Sequence, residues 1–298
     1  MFSPRKRTRI QDVPTTLRVA ARTDVGKVRE RNEDGFVVAD LDRNVTPAVP
    51  ARLDAGHAGV LLAVADGMGG AEAGDVASAI ALDDLRRIVA SPPANVPRST
   101  LLEQAFHHAH RAIRDASEGQ PEKRRMGTTL TAVHVQGGEA YVAHVGDSRA
   151  YLVRAGRIAP ITHDQTVVQQ LVDSGLLAPE DIDASPFRSV ILQAVGHQPD
   201  LDVAVSRVEL RSRDCIVLCS DGLTNAVSDA ELLGTVLTSM SLDVAAQRLV
   251  DLANQRGGKD NITVVLAGVG GELPPPEIAA EQSIEVVKAF VARLPSHH

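Results

Sequence analysis

The side chains with the clearest chemical potential are carboxylates, each set beside glycine or at the edge of an apolar run. Residues 60–70, VLLAVADGMGG, open with six apolar residues, reach Asp66, and continue through Gly67, Met68, Gly69 and Gly70. CIVLCSDG repeats that design with Asp221 and Gly222. Asp260 and Asn261 lead directly into the apolar run ITVVLAGV, and Asp147 sits in GDS between two strand-like runs. Glu33 and Asp34 are adjacent, and neighbouring carboxylates repel unless a cation or an arginine satisfies them. Carboxylate and carbonyl oxygens are the ligands of hard cations. If these strands share one core, the acids can meet at one rim and hold Mg²⁺ or Mn²⁺, with Ca²⁺ also admissible. No Cys or His ligands accompany them, which argues against structural zinc. Two such ions a few Å apart form a clamp suited to hydrolysing phosphate esters. Taken singly, each stretch also reads as an ordinary Asp-Gly turn or a solvated loop.

The elements that must position these acids follow from periodicity. Short, continuously apolar runs such as 60–65 and 215–219 predict strands buried on both faces. Residues 17–22, 36–39 and 201–208 read as further strands, and 41–59 as a surface connection. Residues 72–90 carry apolar side chains at helical spacing. Thr100 and Glu103 form a capping-box pattern for a second helix to about residue 117. From 126 to 162 the pattern is an antiparallel meander with Gly137-Gly138 and Ala155-Gly156 turns, interrupted at Gly146–Ser148. Residues 164–190, with a helical start at 165–174 and then Pro179 and Pro186, read as a mobile flap. Ser228 with Glu231, and Ser241, cap two more helices. The expected organisation is a basic tail over 1–17, a core domain over 18–270, and a Pro-rich linker with a short helix, 284–294, at the end.

Composition limits the function classes. The net charge of -7 offers no basic surplus for DNA, and 2% aromatics with no Trp leave few platforms for stacking bases. No apolar run approaches a membrane span of about 20 residues. Cys215 and Cys219 are four apart on one strand, about 13 Å, too far for a disulfide. They read as small buried apolar residues in a reducing, cytoplasmic setting.

The order RxxNED, DGMGG, GTT, GDSRAY, SDG, DN resembles the metal-dependent Ser/Thr protein phosphatases of the protein phosphatase 2C family, in their bacterial form, over about residues 18–270. The resemblance implies an α+β fold, a four-layer α-β-β-α sandwich of two packed antiparallel sheets flanked by helices. It implies two Mn²⁺ or Mg²⁺ ions, with a third at a further site. Asp66 resembles the ligand bridging both ions, with the Gly67 carbonyl on one of them, and Asp221 and Asp260 ligands of the other. Asp34 and Glu33 resemble the acidic pair that holds metal-bound waters. Asp147 with Asp221 matches the third site, and Arg29 the phosphate-binding arginine. Thr128 and Thr129 resemble structural supports of a strand beside the site. The implied reaction is direct in-line attack on phosphoserine or phosphothreonine by a hydroxide bridging the ions, without a phosphoenzyme. The implied partners are phosphorylated proteins, a eukaryotic-like Ser/Thr kinase and its substrates among them; a monomer is the default.

This chain departs from the family pattern in places. Met68 stands where eukaryotic members carry a histidine proposed to protonate the leaving group, so the proton donor is unassigned; His57, nine residues before Asp66, is the upstream histidine to test. In the flap, Gln165 stands where members often have His, and Ser185-Pro186-Phe187-Arg188-Ser189 replaces a commoner His-Pro-x-Arg-Asn. The alternative function is a catalytically silent phosphatase-like sensor or scaffold. A structural Ca²⁺-binding protein is a further rival. Silent members usually lose metal carboxylates, and here every matched position is filled.

Overall fold

The computed structural model describes residues 13–69, 73–120, 126–276 and 284–290. One sheet is built, in spatial order, from β3 (Ala51–Asp54), β1 (Thr15–Asp24), β12 (Ile262–Gly271), β11 (Cys215–Cys219), β8 (Arg149–Arg154) and β9 (Arg157–Pro160). The other runs β13 (Ile284–Lys288), β10 (Ala204–Glu209), β7 (Glu139–Val145), β6 (Leu130–Gln136), β4 (Val60–Met68) and β2 (Asp34–Asp40). The two-residue β5 (Gly127–Thr128) pairs with the end of β4. The pairings are antiparallel throughout.

Strand β4 shows why a continuous apolar run was needed. Its alternate residues Val60, Leu62 and Val64 point into the core between the sheets, against Ile216, Leu218 and Val265 of the facing sheet. Leu61, Ala63 and Ala65 point the other way, against helices α1 (Gly74–Ala90) and α2 (Arg98–Ser117). Helices α4 (Asp221–Thr224), α5 (Asp229–Thr238) and α6 (Leu242–Gln255) cover the other sheet, where Leu232 and Leu249 share a core with Val217 and Val264. Each fully buried Val or Leu side chain stabilises the fold by roughly 1.5–3 kcal/mol, so three such layers suffice without aromatic bulk. The expected α-β-β-α sandwich is the observed fold. No described helix is long and apolar enough to cross a membrane.

Several expectations are corrected. The helix expected at 284–294 is, over its described start, strand β13, paired with the otherwise open edge of β10; residues 291–294 lie outside the described residues. Ile284, Val286 and Val287 are β-branched and suit a strand, and backbone pairing and the ion pairs of Lys288 with Glu103 (2.7 Å) and Asp202 (2.9 Å) fix it there. Glu103 is thereby used by β13 rather than by a capping box: α2 begins earlier, at Arg98, behind Pro97. The core begins at Thr15 rather than residue 18, because β1 pairs along its whole length with β12. The basic residues Arg5, Lys6, Arg7 and Arg9 lie outside the described residues. The connection 41–59 contains the short edge strand β3. The meander is two hairpins, β6–β7 in one sheet and β8–β9 in the other, and Gly146–Ser148 is the crossing between sheets. The caps expected from Ser228, Glu231 and Ser241 are present. Cys215 and Cys219 are free, and burial pushes both thiols up to about 12.

Candidate active site

The antiparallel register gathers the acids. Asp34 opens β2 directly opposite Asp66, near the end of β4. In the facing sheet Asp221 follows β11 and Asp260 precedes β12, and these strands are antiparallel neighbours with Cys219 opposite Val264. Asp147 lies in the crossing from β7 to β8. Five carboxylates from both sheets thus gather at one end of the sandwich, where Asp66, Asp147, Asp221 and Asp260 help, with Arg29 and Met68, to line a cleft of about 860 Å³ and Asp34 lies beside them with its Oδ1 buried.

Small polar groups hold this arrangement. The Thr129 backbone amide donates to the Asp66 carbonyl (2.9 Å), the Thr128 hydroxyl donates to the same carbonyl (2.9 Å), and the Thr129 hydroxyl accepts from the Asp66 amide (3.0 Å). The Ser220 hydroxyl, on one sheet, donates to Asp34 Oδ2 at 2.6 Å on the other and accepts from the Thr263 amide at 3.0 Å. Asn225 Nδ2 donates to Asp221 Oδ2 (3.0 Å). Asn261 accepts from the Glu33 amide (2.8 Å) and donates to the carbonyls of Val25 and Arg31 (both 2.9 Å), which shapes the loop that carries Arg29. Gly67 has a steric reason: a Cβ there would lie 2.1 Å from the carbonyl oxygen of Gly74, at the start of α1. Any side chain would push the helix away.

The electrostatics are those of a cation site. Burial, followed by the neighbouring carboxylates Asp221 and Asp260, pushes Asp34 up to about 7. Burial and then Asp221 and Asp164 push Asp147 up to about 7. Asp66 is held well above the usual carboxylate range by burial and by the charges of Asp34, Asp221, Asp147 and Asp260; Asp221 is raised by burial and by Asp260. Glu33 is raised by burial, against the lowering effect of Arg29. Asp34 Oδ1 and Asp221 Oδ1 are buried and have no hydrogen-bond partner. Oxygens in that condition are costly unless something positive meets them. An all-oxygen donor set with two orphaned carboxylate oxygens fits hard divalent cations. Among the described residues no three acidic, histidine or cysteine side chains form a ready-made cage. An ion bound here would therefore complete its shell with water.

Arg29 Nη2 donates to Asp260 Oδ2 at 2.8 Å, and its side chain is 51% exposed, which leaves part of the guanidinium fork open to the cleft. Gln165 is buried beneath the Asp147 crossing, where its Oε1 accepts from the Gly146 amide (2.9 Å). Its role is to anchor the base of the flap. His57 lies before the opposite end of β4, with six residues, about 20 Å, separating Val60 from Asp66, so it is no partner of this site. Sequence reasoning missed Ser220, Asn225 and Asn261 as supports. Each is a small polar residue within four positions of a chosen aspartate, and that adjacency was the available signal.

A carboxylate-lined cleft with an exposed arginine, at one end of an α-β-β-α sandwich, is an arrangement suited to metal-assisted phosphate chemistry. The protein phosphatase 2C family model matches residues 51–256. The chain is 39% identical over 259 residues to the Ser/Thr protein phosphatase PstP of Mycobacterium tuberculosis, covering 86% of this chain and 46% of that protein. It is 34% identical over 261 residues to the protein phosphatase PhpP of Streptococcus pneumoniae, covering 86% of this chain and 99% of that one. Among solved structures, the catalytic domain of the phosphatase PstP in complex with two manganese ions superposes with a TM-score of 0.72 at 36% identity, covering 86% and 99% of the two chains. The chain belongs to the protein phosphatase 2C family. It spans about half the length of the PstP protein that it matches.

Proposed function

We propose that this chain is a metal-dependent Ser/Thr protein phosphatase that uses Mn²⁺ or Mg²⁺. The observation that carries this is the convergence of Asp34, Asp66, Asp147, Asp221 and Asp260, with orphaned buried oxygens on Asp34 and Asp221. Family membership and the manganese-bound relative support it. Asp66 would serve both ions and the Gly67 carbonyl one of them; Asp221 and Asp260 would hold the other, with Asp34 and Glu33 acting through water. Asp147 and Asp221 would hold a third ion. When bound, such ions supply water acidic enough to attack phosphorus at neutral pH.

The chain's own residues do the rest. Arg29 presents its fork to phosphate oxygens and offsets charge as it builds. Asp260 aims that fork through the 2.8 Å contact. Ser220, Asn225 and Thr129 fix the carboxylates so that little reorganisation is needed. Met68 lines the cleft but has no proton to give, so solvent in the open cleft protonates the departing seryl or threonyl oxygen. The proposed role is to oppose Ser/Thr kinases inside the cell, as a monomer acting on phosphorylated proteins.

The test is hydrolysis of p-nitrophenyl phosphate and a phosphothreonine peptide with Mn²⁺, Mg²⁺, Ca²⁺ or chelator, beside Asp66→Asn and Asp221→Asn. Mn²⁺-dependent turnover that vanishes with chelator and in both variants is the expected result. No turnover from folded, metal-loaded protein would favour the silent scaffold instead.

A further inference from the structure

The cations around the cleft are not equivalent. Arg29 is engaged by Asp260, and Arg256 is paired with Glu231 and donates to the Ala226 carbonyl (2.7 Å). Arg188, from the flap, donates to Asn225 Oδ1 (3.1 Å). Lys259 lines the same cleft, immediately before Asp260, yet its ammonium has no hydrogen bond or ion pair among the described residues; the side chain of Lys27 has none either. Asp260 is directed elsewhere: its Oδ2 accepts from Arg29 and its Oδ1 from the Asn261 amide (2.9 Å).

These two lysines are mounted together on clamped backbone. The Lys27 amide donates to the Gly258 carbonyl at 2.7 Å. Gly258 has φ +50, and a Cβ there would lie 2.4 Å from Asn254 Oδ1, 2.9 Å from the Lys27 nitrogen and 3.1 Å from Lys27 Cγ. A Cβ on Gly26 would lie 2.2 Å from the Asp260 carbonyl oxygen. Both loops are therefore locked against each other, with an exposed lysine on each side of Gly258. Lys259 lines the cleft and Lys27 rises from the loop clamped to its neighbour Gly258, so an anion arriving at this rim of the cleft is attracted by two cations mounted on joined backbone.

We infer that Lys259 and Lys27 form a subsite for a second anionic group of the substrate, carried on a residue flanking the phosphorylated one. The proposal rests on the phosphatase reading above and adds to it a determinant of substrate choice. The anion is a carboxylate or a second phosphate; both suit an ammonium, which acts as a point charge. Because both lysines are exposed, the contact sharpens selection rather than dominating affinity.

The experiment uses the full chain with Mn²⁺ and compares kcat/KM on three phosphothreonine peptides of one sequence. Their flanking residues are neutral, aspartate, or a second phosphothreonine. p-Nitrophenyl phosphate turnover by the unaltered chain reports the underlying hydrolase. The unaltered chain is expected to prefer the anionic peptides by about three- to tenfold, falling with added salt. Lys259→Gln should bring that ratio most of the way to one, Lys27→Gln/Lys259→Gln the whole way, and Lys259→Arg should restore it. A preference confined to the doubly phosphorylated peptide assigns the subsite to phosphate, and one shared with aspartate assigns it to anions in general. An unaltered ratio in the double variant, or no preference in the unaltered chain, overturns the subsite while leaving the hydrolase intact. Absence of p-nitrophenyl phosphate turnover overturns the hydrolase reading and the subsite with it.

Discussion

Asp34 and Asp66 face each other across hydrogen-bonded strands, with Ser220 reaching from the other sheet to bind Asp34. Arg188 and Ser189, which line the same cleft, belong instead to a segment outside both sheets. That segment contains α3 (Val167–Asp173) and a 3-10 turn (Pro179–Ala184). The flap is tied down at its base, where the Leu192 amide donates to the Gln165 carbonyl (2.7 Å) and the Val167 amide to that of Val190 (2.9 Å). Beyond that base it leaves Leu176 75% and Phe187 52% exposed. The floor is thus set by sheet register and buried polar contacts, the wall by a few contacts at its root and the exposed contact of Arg188 with Asn225. Chemistry is built into the part that cannot vary without unfolding, and substrate contact into the part that can.

The largest effect should come from the floor. Asp66→Asn is expected to cut Mn²⁺-dependent turnover by about a thousandfold or more, because one group both gathers the ions and shapes the reaction. The same variant should melt at a higher temperature than the unaltered chain in chelator at neutral pH, since it removes a carboxyl that burial and like charges force to hold its proton above the ordinary range. A lower melting temperature there would show that the acids are not mutually destabilising. Arg29→Lys keeps charge but loses the planar fork, and should reduce kcat by about ten- to a hundredfold while Mn²⁺ affinity is unchanged. Full activity would remove Arg29 from its assigned role.

A pH series separates floor from wall without touching metal. Asp34 and Asp147 hold their protons up to about 7 in the folded chain, above the ordinary value of 3.8. The metal-free folded state therefore binds more protons than the unfolded one between about pH 4 and 7, so this cluster makes stability fall as pH rises through that window. Melts in chelator should show that fall flattened in Asp34→Asn, whereas an identical slope would contradict the assignment. Thr129→Val removes a hydroxyl that accepts from the Asp66 amide and pairs with Ser148 Oγ at 2.7 Å. It should cost about 1–3 kcal/mol by chemical denaturation. Phe187→Ala, on the exposed flap next to Arg188, should cost less than about 0.5 kcal/mol and change KM for protein substrates more than turnover of p-nitrophenyl phosphate. A large loss of stability there would erase the contrast between floor and wall.

Much of the floor was legible because a strand buried on both faces must be continuously apolar, and an aspartate ending such a run has few bland uses. Asp66, Asp221 and Asp260 stood out for that reason. Ser220, Asn225 and Asn261 did not, because a small polar residue beside an aspartate looks the same whether it braces a carboxylate or faces water. The misreading of residues 284–288 as helix has a related cause. The β-branched IEVVK is too short to declare itself, and the deciding partner, the open edge of β10, lies 75 or more residues earlier in the chain. The sheet crossing at Gly146–Ser148 was read as a break within one sheet, since a hairpin and a change of sheet share the same local pattern.

The central claim is that acids from both sheets converge to hold two divalent cations. Calorimetric titration of the metal-free chain with Mn²⁺, beside Asp66→Asn and Asp221→Asn, tests it most directly. The account predicts at least two ions bound by the unaltered chain, proton release on binding, and loss of at least one ion in each variant. No binding by the unaltered chain, or the same number of ions in all three proteins, would contradict it.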